Sequence, residues 1–231
     1  MHLSFLTLFP EAILPILKSS LIGKAQEKGL VHCHVYQVRD FAADKHRTVD
    51  EPPFGGGEGM VMRVDVLHRA WLHAKAAVSD AKRTNTILMS PQGRVLSREV
   101  SIELGEVDHL IIVCGHYEGI DERFSELCVD EEVSIGDYVL TGGELPALVV
   151  ADAVIRRIPG VLGNTASLHE DCFEAGLLKY PQYTRPRDYQ GLSVPEVLLS
   201  GNHARVDAWR EEQSLERTRQ RRPDLLSKLS K

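Results

Sequence analysis

The chain has 231 residues, 43% of them hydrophobic, which is enough apolar material for one large core or two modest ones. With 27 Lys+Arg against 33 Asp+Glu the formal net charge is −6, which excludes a protein that coats nucleic acid by bulk electrostatics; any such partner must be held locally. No run approaches the ~20 apolar residues of a membrane span.

The opening residues lack the basic lead and small-residue cleavage site of a signal peptide. Cys33, Cys114, Cys128 and Cys172 stand too far apart for C-x-x-C pairs and read as reduced, structural thiols, so a cytoplasmic location is expected. Strand-like and helix-like runs alternate over the first two-thirds: residues 2–8, 11–21, 31–38, 64–82, 86–90, 96–104 and 109–113, then a helix over about 143–158. Such alternation predicts an α/β sheet covered by helices. The last helix is the best marked, because Leu145, Leu148, Val149, Asp152 and Arg156 recur at i, i+3, i+4 spacings between Gly142-Gly143 and Pro159-Gly160. Residues 159–184 are rich in Gly, Ser, Asn and Thr with little periodicity, the text of a linker or functional loop. Beyond them Pro181, Pro186 and Pro195 punctuate short segments, and 204–221 reads as a helix that stops before Pro223. Residues 201–231 hold eight Lys/Arg against five Asp/Glu, while the remainder holds 19 against 28. A basic tail on an acidic body suggests a polyanion-facing domain, although a solvated helix of mixed charge has the same composition.

The most unusual local text is Asp50-Glu51-Pro52-Pro53-Phe54-Gly55-Gly56-Gly57-Glu58-Gly59-Met60. Its glycines permit positive φ and close approach of backbone to a ligand; a plain flexible loop has the same letters. It is neither a Walker loop nor a dinucleotide fingerprint. G-x-x-x-x-G-K-[ST] is absent, Met60 breaks G-x-G-x-x-G, and Pro52-Pro53 remove the strand that a Rossmann methyltransferase loop would need before its glycines. Three further glycine-bearing loops follow apolar runs: Ser90-Pro91-Gln92-Gly93, the 114–123 segment and the 134–146 segment. Open α/β sheets bind ligands at the carboxyl ends of their strands, so the three are expected to form one pocket, though each alone is an ordinary turn. Asp130-Glu131-Glu132 reads first as a solvated turn and second as an electrostatic partner for a cation. His32 and His34 share one strand face, but no third ligand stands at a zinc spacing and no metal site is expected.

His46-Arg47-Thr48-Val49-Asp50 with the glycine loop, Ser90-Pro91-Gln92-Gly93, Gly115-His116-Tyr117-Glu118-Gly119-Ile120-Asp121-Glu122-Arg123, the 134–146 run, Glu170-Asp171-Cys172-Phe173 and Ser200-Gly201-Asn202-His203 follow one another over nearly the whole chain. In that order they resemble the bacterial tRNA (guanine-N1)-methyltransferases that modify guanosine 37. The resemblance implies the SPOUT superfamily: an α/β fold with a parallel sheet, helices on both faces and a deep C-terminal trefoil knot, plus a small all-α C-terminal domain. It divides the chain into a knotted cofactor-binding domain at 1–160, a flexible linker at 161–176 and a tRNA-binding domain at 177–231. It further implies a homodimer whose active site is shared between subunits, with tRNA as partner and neither DNA nor membrane.

The same resemblance implies that S-adenosylmethionine lies among Leu88, Ser90, Pro91 and Gly93; Gly115, Tyr117, Glu118 and Gly119; and Ser134, Ile135, Gly136, Asp137, Tyr138, Val139, Leu140, Gly142, Gly143 and Pro146. Asp171 is implied as the general base for the N1 proton and Arg156 as the cation at O6, a pairing that suits a base protonated at N1 at neutral pH. Asp50, Gly55, Gly57 and Gly59 would contact the flipped guanine, and Ser200, Asn202, His203, Trp209, Arg217 and Arg221 the rest of the tRNA. Dependence on Mg2+ is implied, at no position that the sequence locates. Leu88 stands where some members carry an aromatic residue, and the chain stops soon after Leu229, short of the longer tail of some members. Two rival readings are a SPOUT enzyme acting elsewhere on RNA, such as at a ribose 2′-OH, and a non-catalytic RNA-binding protein that uses the basic tail.

Overall fold

In the computed structural model the first third of the chain becomes β1 (His2–Thr7), α1 (Pro10–Leu17), α2 (Ser20–Glu27) and β2 (His32–Gln37). A 3-10 turn and a ribbon of two short strands, β3 (Asp50–Glu51) and β4 (Val61–Met62), lead into α3 (Val64–Ala76). Then come β5 (Thr84–Val95), α4 (Arg98–Gly105), β6 (His109–Cys114), α5 (Glu122–Cys128), β7 (Glu131–Ser134) and α6 (Glu144–Ile155). The structure describes residues 1–163 and 171–229, in two units divided after Gly163.

The main sheet of the first unit runs β2-β1-β6-β5-β7 and its pairings are parallel, as the strand–helix alternation predicts. Central β6 is buried at every residue, the reason its text is a continuous apolar run after His109. Alternation in β1 divides the core: Leu3 and Phe5 pack with Ile13, Leu104, Ala151 and Ile155, whereas Leu6 and Leu8 pack with Val66, Leu67 and Phe124. Helices therefore cover both faces, α1, α2, α4 and α6 on one and α3 and α5 on the other.

Several elements depart from the sequence expectations. The helix expected over 11–21 is two helices, parted at Ser19-Ser20, where Ser20 takes a φ of 49°. They cross so tightly that a Cβ on Gly23 would stand 2.5 Å from the Lys18 carbonyl oxygen. The helix expected to reach 82 ends at Ala76. Ser90-Pro91-Gln92-Gly93 loops out within a longer strand: Met89 and Arg94 both stand opposite Val133, so the four residues between them have no partner in β7, and β5 resumes its pairing and runs on to Val95. Asp130-Glu131-Glu132 is not a solvated turn. The Asp130 carboxylate accepts the Thr86 amide at 2.7 Å, and Glu131 and Glu132 open β7 opposite Ile87 and Leu88. An edge strand exposes one row of side chains, and acidic residues there carry no apolar alternation to betray it.

The second unit holds a hairpin, β8 (Asp188–Tyr189) and β9 (Leu192–Ser193), and the helices α7 (Glu196–Leu199), α8 (His203–Arg221) and α9 (Pro223–Leu229). It is thus helical with a small hairpin and not all-α; Gln190 and Gly191, at φ 49° and 81°, make the tight turn that two-residue hairpins demand. Thr218 is buried, accepting the Leu178 amide at 2.9 Å and donating to Ser214 O at 2.7 Å. Of the linker expected over 161–176, residues 164–170, with Glu170, lie outside the described residues. All four cysteines are free, and among the described residues no helix is long and apolar enough to cross a membrane.

Candidate active site

A cleft of about 400 Å³ opens where β5, β6 and β7 end, the ligand-binding edge of a parallel sheet. It brings together Leu88, Ser90 and Pro91; Gly115, Tyr117, Glu118 and Gly119; and Ser134, Ile135, Gly136, Tyr138, Val139, Leu140, Gly142, Gly143 and Pro146. Gly93 and Asp137 are not in its wall. A Cβ on Gly93 would stand 2.3 Å from the Glu132 carbonyl carbon, so this glycine serves the close passage of β5 along β7, and Asp137 is exposed beside the cleft.

Two features fix the wall. The Gly143 amide donates to Gly115 O at 2.9 Å, laying the loop before α6 directly on the loop after β6. Behind it Glu144, only 6% exposed, has both carboxylate oxygens engaged: Thr7 Oγ1 donates to Oε1 at 2.5 Å, and His116 Nε2 lies 2.7 Å from Oε2. Gly142 is tucked against this pair, since its Cβ would stand 2.1 Å from His116 Nε2. The sequence reading missed His116, Met89, Gln92, Ile120, Glu122, Ser125, Val133 and Thr141 in the lining, and had Glu132 only as its second reading of the acidic stretch. For His116 a signal was present, an imidazole two residues beyond a buried strand; its Glu144 partner is 28 residues away and no local pattern joins them.

The glycine loop is fastened to the same wall. The Glu118 amide donates to Met60 O at 3.0 Å, the Met62 amide to Gly119 O at 2.9 Å and the Asp121 amide to Met62 O at 3.0 Å. Gly59 sits so close to Glu118 that a Cβ would come within 2.6 Å of Oε1. Asp50 stands in β3 opposite Met62, while Gly55 and Gly57 lie exposed at the far end of the loop. Tyr117 holds a φ of 59°, and its hydroxyl accepts from Arg39 Nη2 at 3.2 Å.

A family model described as tRNA (Guanine-1)-methyltransferase TrmD matches residues 1–228. The chain belongs to this family. Proteins named tRNA (guanine-N(1)-)-methyltransferase from Ruminiclostridium cellulolyticum and Brevibacillus brevis are 53% and 52% identical to it, over 99% and 100% of this chain and 97% and 93% of theirs. One of the same name from Staphylococcus epidermidis is 51% identical over 98% of this chain and 91% of its own.

The remaining candidates of this family member stand on other segments of the chain. Arg156, half-buried, ends α6, its amide donating to Asp152 O at 3.1 Å. Asp171, also half-buried, begins the described part of the second unit, where its carbonyl accepts the Glu174 amide at 3.4 Å. In the second unit the Asn202 side chain caps α8 by accepting the Arg205 amide at 3.2 Å, and Ser200 Oγ donates to Val197 O at 2.7 Å. His203 opens α8, Trp209 is half-buried with its ring 6.4 Å from that of Tyr183, and Arg217 and Arg221 follow toward the end of the helix.

Proposed function

We propose that the chain transfers the methyl group of S-adenosylmethionine to N1 of guanosine 37 in tRNA, giving 1-methylguanosine and S-adenosylhomocysteine. Family membership over residues 1–228 carries methylation of a tRNA guanine at N1. The observation that best supports the cofactor is the glycine-lined cleft, whose backbone groups at Gly115, Gly142 and Gly143 leave room beside apolar Leu88, Ile135 and Leu140 for a flat heteroaromatic ring. When bound there, S-adenosylmethionine supplies an electrophilic methyl on a sulfonium, and Glu118 and Glu132 in the lining add favourable negative charge.

The chain's own task is at the guanine. N1 carries a proton, which Asp171 accepts as the methyl is taken up, while Arg156 donates to O6 as negative charge grows there. In this reading the base must leave its stack to expose N1, and Asp50, Gly55, Gly57 and Gly59 receive it. Ser200, Asn202, His203, Trp209, Arg217 and Arg221 hold the tRNA, and Asp171 of the partner subunit completes each cleft of a cytoplasmic homodimer. The knotted topology belongs to this reading through family membership, and the Gly143–Gly115 hydrogen bond brings together the two loops that such a knot would join. The implied Mg2+ finds no group of three or more His, Cys, Asp or Glu among the described residues able to hold it, so no step is routed through a metal.

The test is transfer of labelled methyl to a tRNA transcript with guanosine 37, to the same transcript with that base changed, and with Asp171→Asn enzyme. Label recovered as 1-methylguanosine with the first transcript and not with the base-changed one, and a variant slower by roughly 10²–10⁴-fold, is the expected result. Label in the base-changed transcript would move the target, and undiminished transfer by the variant would remove Asp171 as the base.

A further inference from the structure

Phe54 is 99% exposed, more than any other large apolar side chain among the described residues. A single exposed apolar residue is ordinary; the way this one is held is not. On one side stand Pro52-Pro53, which fix their own φ; on the other Gly55, Gly56 and Gly57 take φ of 89°, 81° and 131°, and the Gly56 amide closes the turn on Pro53 O at 3.3 Å. These neighbours offer no hydrogen-bonding side chain, so what the loop tip presents is an exposed phenyl ring and bare backbone. The loop springs from β3 and β4, and β4 is bonded to the Gly119 and Asp121 backbone of the cleft wall. The ring is therefore carried by a segment anchored to the cofactor cleft, yet it touches none of the core.

A methyl donor in that cleft reaches a guanine N1 only if the base is out of its stack, and extrusion costs the stacking on both neighbours. Aromatic faces recover that loss in single-stranded RNA recognition, without regard to base identity. We propose that Phe54 is a positioning residue: its ring stacks on an unstacked base of the tRNA anticodon loop and holds the loop open at the cleft. This rests on the tRNA-methyltransferase reading above and adds to it a residue that neither the resemblance nor the cleft lining supplies.

The experiment compares full-length wild type with Phe54→Ala, Phe54→Tyr and Phe54→Leu, measuring tRNA dissociation constants, kcat and KM for tRNA, S-adenosylmethionine affinity and oligomer mass. Phe54→Ala lowers kcat/KM for tRNA by roughly 10–100-fold, in step with the usual loss on removing one stacking aromatic. It leaves S-adenosylmethionine affinity and oligomer mass unchanged. Phe54→Tyr restores the wild-type value and Phe54→Leu does not, because stacking needs a ring and not only apolar area. Phe54→Ala within twofold of wild type, or full rescue by leucine, overturns the proposal. A parallel change in oligomer mass or cofactor affinity also overturns it and makes the ring a packing contact. If wild type itself transfers no methyl, the activity reading fails while the tRNA affinities of the four proteins still decide whether the ring stacks.

Discussion

At Gly143 a methyl group in place of hydrogen would stand 2.6 Å from Cys114 Cα and 2.9 Å from the Gly115 nitrogen. Both neighbours are backbone, so the strand end and the loop before α6 must part to admit it, and the Gly143–Gly115 hydrogen bond lengthens with them. Its φ of −81° is one that any residue adopts, which makes the restriction purely one of space. Gly143→Ala is expected to destabilise the fold by about 1–3 kcal/mol and to weaken S-adenosylhomocysteine binding at least tenfold, read by thermal melting and titration calorimetry. Gly105→Ala is the control: its Cβ meets Val154 Cγ1 at an ordinary 3.7 Å, and alanine at a helix end should leave stability unchanged or raise it by up to about 1 kcal/mol. Equal loss in both variants would show that crowding at the cleft is not what Gly143 relieves. Glu144 illustrates the complementary case, a buried carboxylate tolerable because Thr7 and His116 occupy both its oxygens.

Pairing of elements creates what no single strand contains. β1, β2 and β6 each begin on a histidine, and the register sets His2 beside both His32 and His109, with His34 beside Ser4. The His2 ring stacks on those of His32 and His34 at 4.7 and 5.7 Å, and His109, fully buried, bonds Ser4 Oγ at 2.8 Å. Burial, then the neighbouring His2 and His34, push His109 down to about 4; burial and other histidines also lower His34 and His2. A histidine held neutral in the fold but free to protonate when unfolded costs stability as pH falls from the ordinary value of about 6.5 toward 4. The urea midpoint at fixed protein concentration should therefore drop between pH 7.5 and pH 5, and His109→Gln, which keeps a partner for Ser4, should flatten that slope. An unchanged slope would assign the acid sensitivity elsewhere. The histidine cluster also marks a limit of sequence reading. Alternation and apolar runs made the individual strands legible, as glycine text made the cleft loops legible, because both signals are local. The β2-β1-β6 order joins residues more than 100 apart, as in His2 with His109, and β7 hides in acidic letters, so neither the histidine cluster nor the Glu144–His116 pair could be read from spacing.

On the scale of the whole molecule, α6 poses a question that its own unit leaves open. Ala147, Leu148, Val150, Ala151, Val154 and Ile155 are buried, while Leu145 and Val149 stand 60% and 46% exposed on the opposite side, following a Val139 that is 86% exposed. That outer face also carries the exposed Asp152, and large apolar side chains that stand out beside a charge on an otherwise buried helix mark a surface made to be covered. The proposed homodimer supplies the cover, and a two-fold contact would set the same helix face of each subunit near the other. Leu145→Glu combined with Val149→Glu should convert a dimer in sedimentation equilibrium to a monomer that has lost methyl transfer. Loss of activity alone would not show that the site is shared, and mixing two inactive proteins does. Arg156→Ala retains Asp171, and Asp171→Asn retains Arg156; if each cleft takes its base from the partner subunit, hybrids of the two contain one intact site. Subunit exchange should then restore part of the wild-type rate, and no restoration, with hybrid formation verified by mass, would mean that Arg156 and Asp171 serve within one chain.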